Sequence, residues 1–450
     1  MNFDINTLRP QVGEGKKLFI ETYGCQMNVA DTEIVVSIMQ QAGYIYTGRI
    51  TEADVILINT CSIRDNAEQR IRGRLSDMKR YRHKKRDLIV GVIGCMAERL
   101  KEKLIDKARL VDVVAGPDSY RDLPRLVRAA AVGEKGINVL LSAEETYAEI
   151  APVRLDKNGV SAFIAIMRGC NNYCSYCVVP YTRGVERSRD PQTIVDEARS
   201  LFENGYREVT LLGQNVNSYR SDEVDFPELM RRVALISPLL RVRFATSHPK
   251  DMSDRLLEMM TTLPNICHYV HLPAQSGSTR LLERMNRKYT REWYLDRIAA
   301  IRRYMPDCGI TTDLIAGFAG ETIEDHAQTL SLMREVGYEF AYMFKYSERP
   351  DTFAQRHMPD DVPEQIKSER LAEIIALQAE LSLQSNIRDK GKVFEVLIES
   401  VSKKSDRQFS GRTSQNKVVV FDCGASRVGD YVQVKITDYT PATLIGEVVK

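Results

Sequence analysis

The stretch FIAIMRGCNNYCSYCVVP, residues 163–180, joins an apolar run to three cysteines at C-x3-C-x2-C spacing: Cys170, Cys174 and Cys177. The run reads as a buried strand, and the cysteines follow directly on its end. Downstream, EVTLLG (208–213), RVRFATS (241–247), HYVHLPA (268–274), TTDLIAGF (311–318) and AYMFKYS (341–347) are further strand runs, with helical patterns between them. Six such units predict a partial (β/α)6 barrel, two units short of a full one, with ligands expected at the C-terminal ends of the strands. The cysteine loop stands at such an end. A doubly wound sheet is the alternative.

Upstream, LFIETY (18–23), VILIN (55–59), DLIVGVIG (87–94) and VDVVAG (111–116) also alternate with helical stretches, the first marked by Val35, Ile38 and Met39. That pattern predicts βαβ units on a parallel sheet. A weakly patterned connector follows at about 132–158. A helix is expected from Pro363 to Asp389, on the spacing of Ile366, Leu371, Ile374, Ile375, Leu381 and Ile387. KVFEVLIESV, NKVVVFD and DYVQVKITDY then alternate with period two between Gly, Ser and Asp turns, as in a small antiparallel β domain. The fold class expected is therefore α/β: a parallel α/β sheet domain over 16–140, a partial barrel over 156–389 and a small antiparallel β domain over 390–450.

Length and composition agree with several globular domains. The chain has 450 residues, 43% of them hydrophobic and 28% charged, with 63 Lys+Arg against 61 Asp+Glu, which excludes disordered, collagen-like and coiled-coil classes. The longest apolar stretch, Leu88 to Ala97, is far below the roughly 18 residues of a membrane span, so no membrane association is expected. The start, MNFDINTLRPQ, has neither a basic region nor an apolar core of the secretory kind, and a cytoplasmic location is expected. Nine cysteines are then anomalous, because a reducing compartment disfavours disulfides.

Six of the nine form two groups. Cys170, Cys174 and Cys177 can hold a metal or cluster while leaving one coordination position free, the arrangement of a reactive site. The alternative is structural zinc, although no second C-x2-C or His pair follows at short range. Cys25 ends ETYGC, Cys61 ends INTC and Cys95 ends VIGC, 36 and 34 residues apart, each just past a predicted strand. Strand C-termini of a parallel sheet share one edge, so these three can converge on one site. Taken singly, each would be an ordinary buried cysteine. Cys267, Cys308 and Cys423 have no such arrangement and are expected to be packing residues.

This combination resembles the radical S-adenosylmethionine methylthiotransferases. C-x3-C-x2-C after the first barrel strand is the signature of radical S-adenosylmethionine enzymes; three single cysteines in an N-terminal α/β domain and a small C-terminal β domain match the methylthiotransferase group over essentially the whole chain. Tyr23-Gly24-Cys25-Gln26-Met27-Asn28 and Asn59-Thr60-Cys61-Ser62-Ile63-Arg64 are most similar to the branch acting on N6-isopentenyladenosine beside the anticodon of tRNA. Gln26 and Met27 argue against the branch acting on a ribosomal-protein aspartate and against the threonylcarbamoyladenosine branch. The resemblance implies two [4Fe–4S] clusters, one on Cys170, Cys174 and Cys177 and one on Cys25, Cys61 and Cys95. It also implies two molecules of S-adenosylmethionine: one is the methyl donor and the other the source of a 5′-deoxyadenosyl radical. An electron donor such as flavodoxin or ferredoxin, a sulfur source and a tRNA anticodon stem-loop are the implied partners.

For the cofactor pocket the resemblance points to Tyr176, Gln214, Asn215, Ser247, His248 and Gln275, and to the turn Gly317–Glu321. Tyr176 is equally readable as loop packing, and His248 and His271 as hydrogen-bonded barrel residues. Arg183, Arg187 and Arg189 in TRGVERSR are expected to contact an RNA phosphate or the cofactor carboxylate. Nine Lys/Arg between Arg70 and Arg86 oppose only Asp77, a pattern able to track phosphates or simply to face solvent. GRTSQNKVVVF (411–421) resembles the TRAM module, an RNA-binding β fold, and Lys403, Lys404, Arg412 and Lys417 are the RNA contacts expected there. A non-catalytic RNA-binding protein with structural zinc in both cysteine groups is the alternative of a different class.

Overall fold

The computed structural model describes residue 13 and residues 15–61, 65–101, 103–104, 110–155 and 158–449, with 65–69 by backbone alone. The chain forms two compact units: residues up to Leu155 with Arg168–Asn171 and Cys177–Arg187, and Asp156–Met167 with Asn172–Tyr176 and Ser188–Lys450.

In the first unit, strands β1 (Lys17–Thr22), β2 (Ile45–Tyr46), β3 (Val55–Thr60), β4 (Ile89–Gly94), β5 (Val113–Ala115) and β6 (Gly136–Asn138) form one sheet in the order β2-β1-β3-β4-β5-β6. Every pairing is parallel. Helices α1 (Gln26–Gln41), α2 (Asp65–Lys84) and α3 (Cys95–Leu100) connect the strands that end in cysteine motifs. β3 and β4 are buried at every position because both faces are covered, which is why they read as unbroken apolar runs. Leu18, Val55, Leu57 and Ile93 pack with Ile34 and Val35 of α1 on one side; Ile56, Ile58, Val90 and Val92 pack with Ile71, Leu75 and Met78 of α2 on the other. Each such side chain contributes roughly 1.5–3 kcal/mol. The edge strands β2 and β6, two and three residues long, are too short to show a period. The weakly patterned connector is anchored by Tyr147, whose ring stacks on Tyr120 at 5.6 Å and whose hydroxyl donates to Pro117 O at 3.0 Å.

The second unit carries the six expected barrel strands. β7 (Ser161–Ala165), β10 (Glu208–Leu212) and β13 (Arg241–Ala245) pair in parallel, as do β14 (Tyr269–His271), β15 (Gly309–Ala316) and β16 (Phe340–Lys345). A parallel bridge between Val242 and Ile266 joins the two sets. The short strands β8 (Met167–Arg168) and β9 (Arg187–Ser188) flank the cysteine loop, and β11 (Arg220–Ser221) and β12 (Val224–Asp225) form a small hairpin. Ile164, Leu211, Val242, Phe244 and Leu314 face the helices and build the main core. Helix starts are fixed by Asp190, Asp225, Ser253, Ser278, Thr290 and Thr322, each of whose side chains accepts a backbone N–H of the first turn. Such a cap contributes about 1 kcal/mol. The long final helix runs Glu364–Ile387, close to the span expected.

The same unit ends in a closed barrel of β17 (Val393–Ser402), β18 (Ser405–Thr413), β19 (Val418–Asp422), β20 (Tyr431–Tyr439) and β21 (Leu444–Val448), ordered β17-β18-β19-β21-β20. The expectation of an all-antiparallel domain needs one amendment: β19 and β21 pair in parallel and complete the closure. A seam joins this barrel to the start of the parallel strands. Arg243 donates to Thr413 O at 2.6 Å and Ser414 O at 2.8 Å while paired with Glu208 at 2.7 Å, and Arg241 donates to Arg412 O at 2.8 Å. Gly309 admits the passing backbone; a Cβ there would stand 2.6 Å from Gln415 O.

Candidate active site

In the first sheet the register pairs Thr22 with Asn59 and Thr60 with Gly94, so the strand ends carrying Cys25, Cys61 and Cys95 lie level. Gly24 lets the first turn cross Cys61: its φ is +127° and a Cβ would come within 2.5 Å of the Cys61 Cβ. Asn28 and Asn59 lock the turn, Asn28 Nδ2 donating to Tyr23 O at 3.0 Å and Asn59 Nδ2 to Asn28 O at 2.8 Å. Cys25 is the N-cap of α1. A hydrogen bond with Cys61 draws the Cys25 thiol down to about 6 against the opposing effect of burial, helped by the Arg183 charge and Asn28. Burial pushes Cys95 up, although Arg183 Nε donates to its sulfur at 3.2 Å. Among the branch-specific residues, Met27 is buried and Gln26 exposed; Ser62, Ile63 and Arg64 lie outside the described residues.

The three arginines of TRGVERSR do not reach for phosphate. Arg183, Arg187 and Arg189 are 3%, 6% and 6% exposed, and each is paired internally. Arg183 Nη2 donates to Asp31 at 2.7 Å, Arg187 Nη2 to Asp118 at 3.0 Å, and Arg189 pairs with Glu197. Arg168, just ahead of the cysteine loop, donates to the other oxygen of Asp31 at 2.8 Å. A buried guanidinium is too costly to persist without acceptors, and these three spend theirs on buried carboxylates, so they are committed to the fold. Nothing in the sequence flagged Arg168, Asp31 or Asp118, whose partners are distant along the chain. Glu98 on α3 is also buried; burial raises its carboxyl to about 7, and among the described residues its Oε2 accepts no hydrogen bond.

Around the cysteine loop, Cys170 and Cys174 are buried and Cys177 is half-buried. Arg287, another residue the sequence did not single out, donates through Nη1 to Cys174 Sγ at 3.2 Å and lies 3.5 Å from the Tyr176 hydroxyl. Tyr176 packs edge-on against Phe318 at 6.3 Å. At the ends of β10 and β13, Gln214 Oε1, Asn215 Oδ1, Asn217 Oδ1, Ser247 Oγ and His248 Nε2 are all buried without a hydrogen-bond partner among the described residues. Such orphaned atoms are expensive unless a ligand completes them. His248 is neutral: burial first, then the Arg287 and Lys250 charges, hold it down to about 2. Its Nδ1 accepts from Lys250 N at 3.3 Å, which leaves the proton on the unpartnered Nε2. Gln275 adopts φ +70° and ties its backbone to β15 through Asp313 O at 2.8 Å. Glu321 accepts from Gly317 N at 2.8 Å and Arg370 at 2.7 Å, and His271 Nδ1 shares a hydrogen bond with the Thr311 hydroxyl at 3.0 Å. The orphaned polar groups therefore fit a polar, amino-acid-bearing nucleoside, and the three thiols suit a cluster.

Among the described residues no three metal-ligating side chains are gathered as for a single ion. A four-iron cluster instead spreads its cysteines over separate irons.

The expected RNA contacts divide. Lys403 and Lys404 are exposed at the β17–β18 turn. Arg412 is held by Asn416 at 3.1 Å and by Glu399 at 3.3 Å, and Lys417 by Ser385 at 2.7 Å and Asp389. Those two side chains are engaged within the small barrel and with the end of the final helix rather than presented outward. In the basic stretch, Arg74, Arg82 and Lys85 pair with Glu21, Asp112 and Asp54, whereas Arg72, Lys79, Arg80 and Lys84 are exposed.

Parallel strands with a C-x3-C-x2-C loop after the first, and orphaned polar atoms at the ends of the second and third, define a radical S-adenosylmethionine fold, and the Radical SAM superfamily matches residues 164–333. Residues 17–116 match the Uncharacterized protein family UPF0004 and residues 388–449 the TRAM domain. The fold is shared with the radical S-adenosylmethionine methyltransferase TsrM from Kitasatospora setae, solved with cobalamin and a [4Fe–4S] cluster (TM-score 0.58, 13% identity, 76% of this chain and 77% of that one). It is shared also with the cobalamin-dependent enzyme OxsB (TM-score 0.53, 12% identity, 81% and 56%). Proteins of known name are much nearer in sequence. The tRNA-2-methylthio-N(6)-dimethylallyladenosine synthases of Phocaeicola vulgatus and Parabacteroides distasonis are both 60% identical, over 96% and 97% of this chain and 96% of each relative. That of Porphyromonas gingivalis is 58% identical over 97% and 95%. The chain belongs to this family of tRNA-modifying enzymes. Among the described residues no helix is long and apolar enough to cross a membrane.

Proposed function

We propose that the protein adds a methylthio group to C2 of N6-dimethylallyladenosine, which is isopentenyladenosine, beside the anticodon of tRNA. The observation that carries this reading is the duplication of an open three-cysteine set at parallel strand ends: Cys25, Cys61 and Cys95 on one sheet, and Cys170, Cys174 and Cys177 after the first strand of the other. We assign one [4Fe–4S] cluster to each set. Bound clusters and S-adenosylmethionine supply the one-electron and methyl-transfer chemistry that an sp2 C–H bond of low acidity requires. The chain's own residues bind and orient. His248 offers an Nε2 proton, and Gln214 and Asn215 offer acceptor oxygens, to the polar groups of the cofactor. Tyr176 borders its ring, and Arg287 sets the charge beside Cys174. We assign the functional parts to 16–140, 156–389 and 390–450, with exposed Lys403, Lys404 and the outward bases of α2 meeting tRNA phosphates. A flavodoxin or ferredoxin would deliver electrons and a separate sulfur source would replenish the first site, all in the cytoplasm.

The test is anaerobic turnover with an anticodon stem-loop carrying dimethylallyladenosine and with the unmodified stem-loop, followed by mass analysis of the nucleosides. The 2-methylthio product is expected from the first alone. Its absence, with iron and sulfide loaded at both sites, would sink the proposal.

A further inference from the structure

We infer that Arg183 is a positioning residue for the Cys25, Cys61 and Cys95 site, stabilising anionic sulfur there and setting the ease with which the bound group accepts an electron. The inference rests on the reading that this site holds a [4Fe–4S] cluster. Arg183 lies six residues after Cys177, yet its guanidinium is turned into the first sheet. Nε donates to Cys95 Sγ at 3.2 Å, and Nη2 to Asp31 at 2.7 Å and Asn28 Oδ1 at 3.3 Å. Asn28 Oδ1 in turn accepts from Cys25 Sγ at 3.5 Å, so one side chain reaches two of the three cysteines. Nη1 is buried. Among the described residues that N–H has no acceptor.

The charge count points the same way. Among the described residues Arg168, Arg183 and Arg187 form ion pairs with Asp31 and Asp118, three buried cations against two buried carboxylates. Of the three, Arg183 is the one whose guanidinium stands against Cys95. A thiolate-bound cluster that gains an electron becomes more negative, and hydrogen bonds to its sulfurs raise its potential. Arg183 therefore favours the reduced form and holds the Cys95 sulfur in place for it.

The experiment uses full-length protein with Cys170→Ala, Cys174→Ala and Cys177→Ala, loaded with ferrous iron and sulfide so that only the first site can fill. Arg183→Met, which keeps length and removes both charge and donors, is expected to retain bound iron but to shift the midpoint potential negative in a spectroscopically monitored redox titration. Asp31→Asn combined with Arg183→Met removes the buried charge pair together. It keeps the local net charge and should show a smaller negative shift, due to the lost donor to Cys95 alone, even where the single variant folds poorly. An unchanged potential in the loaded variants overturns the inference alone. A parent protein that takes up no iron overturns both the inference and the cluster reading beneath it.

Discussion

Asp31→Ala tests the buried charge network most directly. The carboxylate is fully buried and accepts from Arg168 at 2.8 Å, Arg183 at 2.7 Å and the Tyr120 hydroxyl at 3.2 Å. Its removal strands two guanidinium groups whose side chains are 2% and 3% exposed. Breaking a buried pair from one side costs about 3–5 kcal/mol, a large part of the roughly 5–15 kcal/mol that holds a domain folded. At about 2–4 °C per kcal/mol for a unit of this size, the melting temperature should fall by roughly 6–20 °C. Arg125→Ala, which breaks the exposed pair with Asp122, is the control and should cost less than about 1 kcal/mol. Thermal melts followed by circular dichroism give both numbers. The pH dependence has a definite sign. Burial alone would raise the Asp31 pKa, but Arg168 and Arg183 outweigh it and hold the value below the ordinary carboxylate range. The stabilisation is therefore present above the unfolded value of about 4 and is lost as pH falls through the depressed folded value. The parent should approach the variant in acid. Melting within about 2–3 °C of the control near neutral pH would refute the reasoning.

Gly24→Ala should deplete iron from the Cys25, Cys61 and Cys95 site, because the new Cβ meets Cys61 at 2.5 Å; full iron in metal analysis would count against the close approach. Cys174→Ala should abolish 5′-deoxyadenosine formation, whereas Cys61→Ala should spare substantial cofactor cleavage and lose sulfur transfer; equal loss in both would contradict separate roles. Lys403→Ala with Lys404→Ala should weaken tRNA binding and reduce the salt slope by about 1 for each phosphate no longer neutralised, measured by titration at several salt concentrations. His248→Phe keeps a ring but removes the Nε2 proton, and binding of S-adenosylmethionine should weaken by about tenfold or more in calorimetry.

The strands were legible in the sequence because their signal is local. Continuous apolar runs such as VILINT and IVGVIG mark strands covered on both faces, and the same period places all six cysteines at strand ends. Two classes of element escaped. Edge strands β2 and β6 and the barrel strand β21 are too short or too irregular to show a period, and β18, SDRQFSGRT, is polar at most positions yet inserts Phe409, Gly411 and Thr413 into the small barrel.

The sequence by itself determined the order of parallel strands and helices, the two cysteine sets and the family resemblance, since spacing and hydrophobic period are written in neighbouring residues. Only the tertiary structure decided what the charges do. Arg168 and Arg183 meet Asp31 across 137 and 152 positions, Arg243 meets Ser414 across 171, and none of these partners can be read from composition nearby. A basic run looks the same whether it faces phosphate or a buried carboxylate. The difference is desolvation: inside the fold a guanidinium persists only with a paired acceptor, and folding alone brings that acceptor to it.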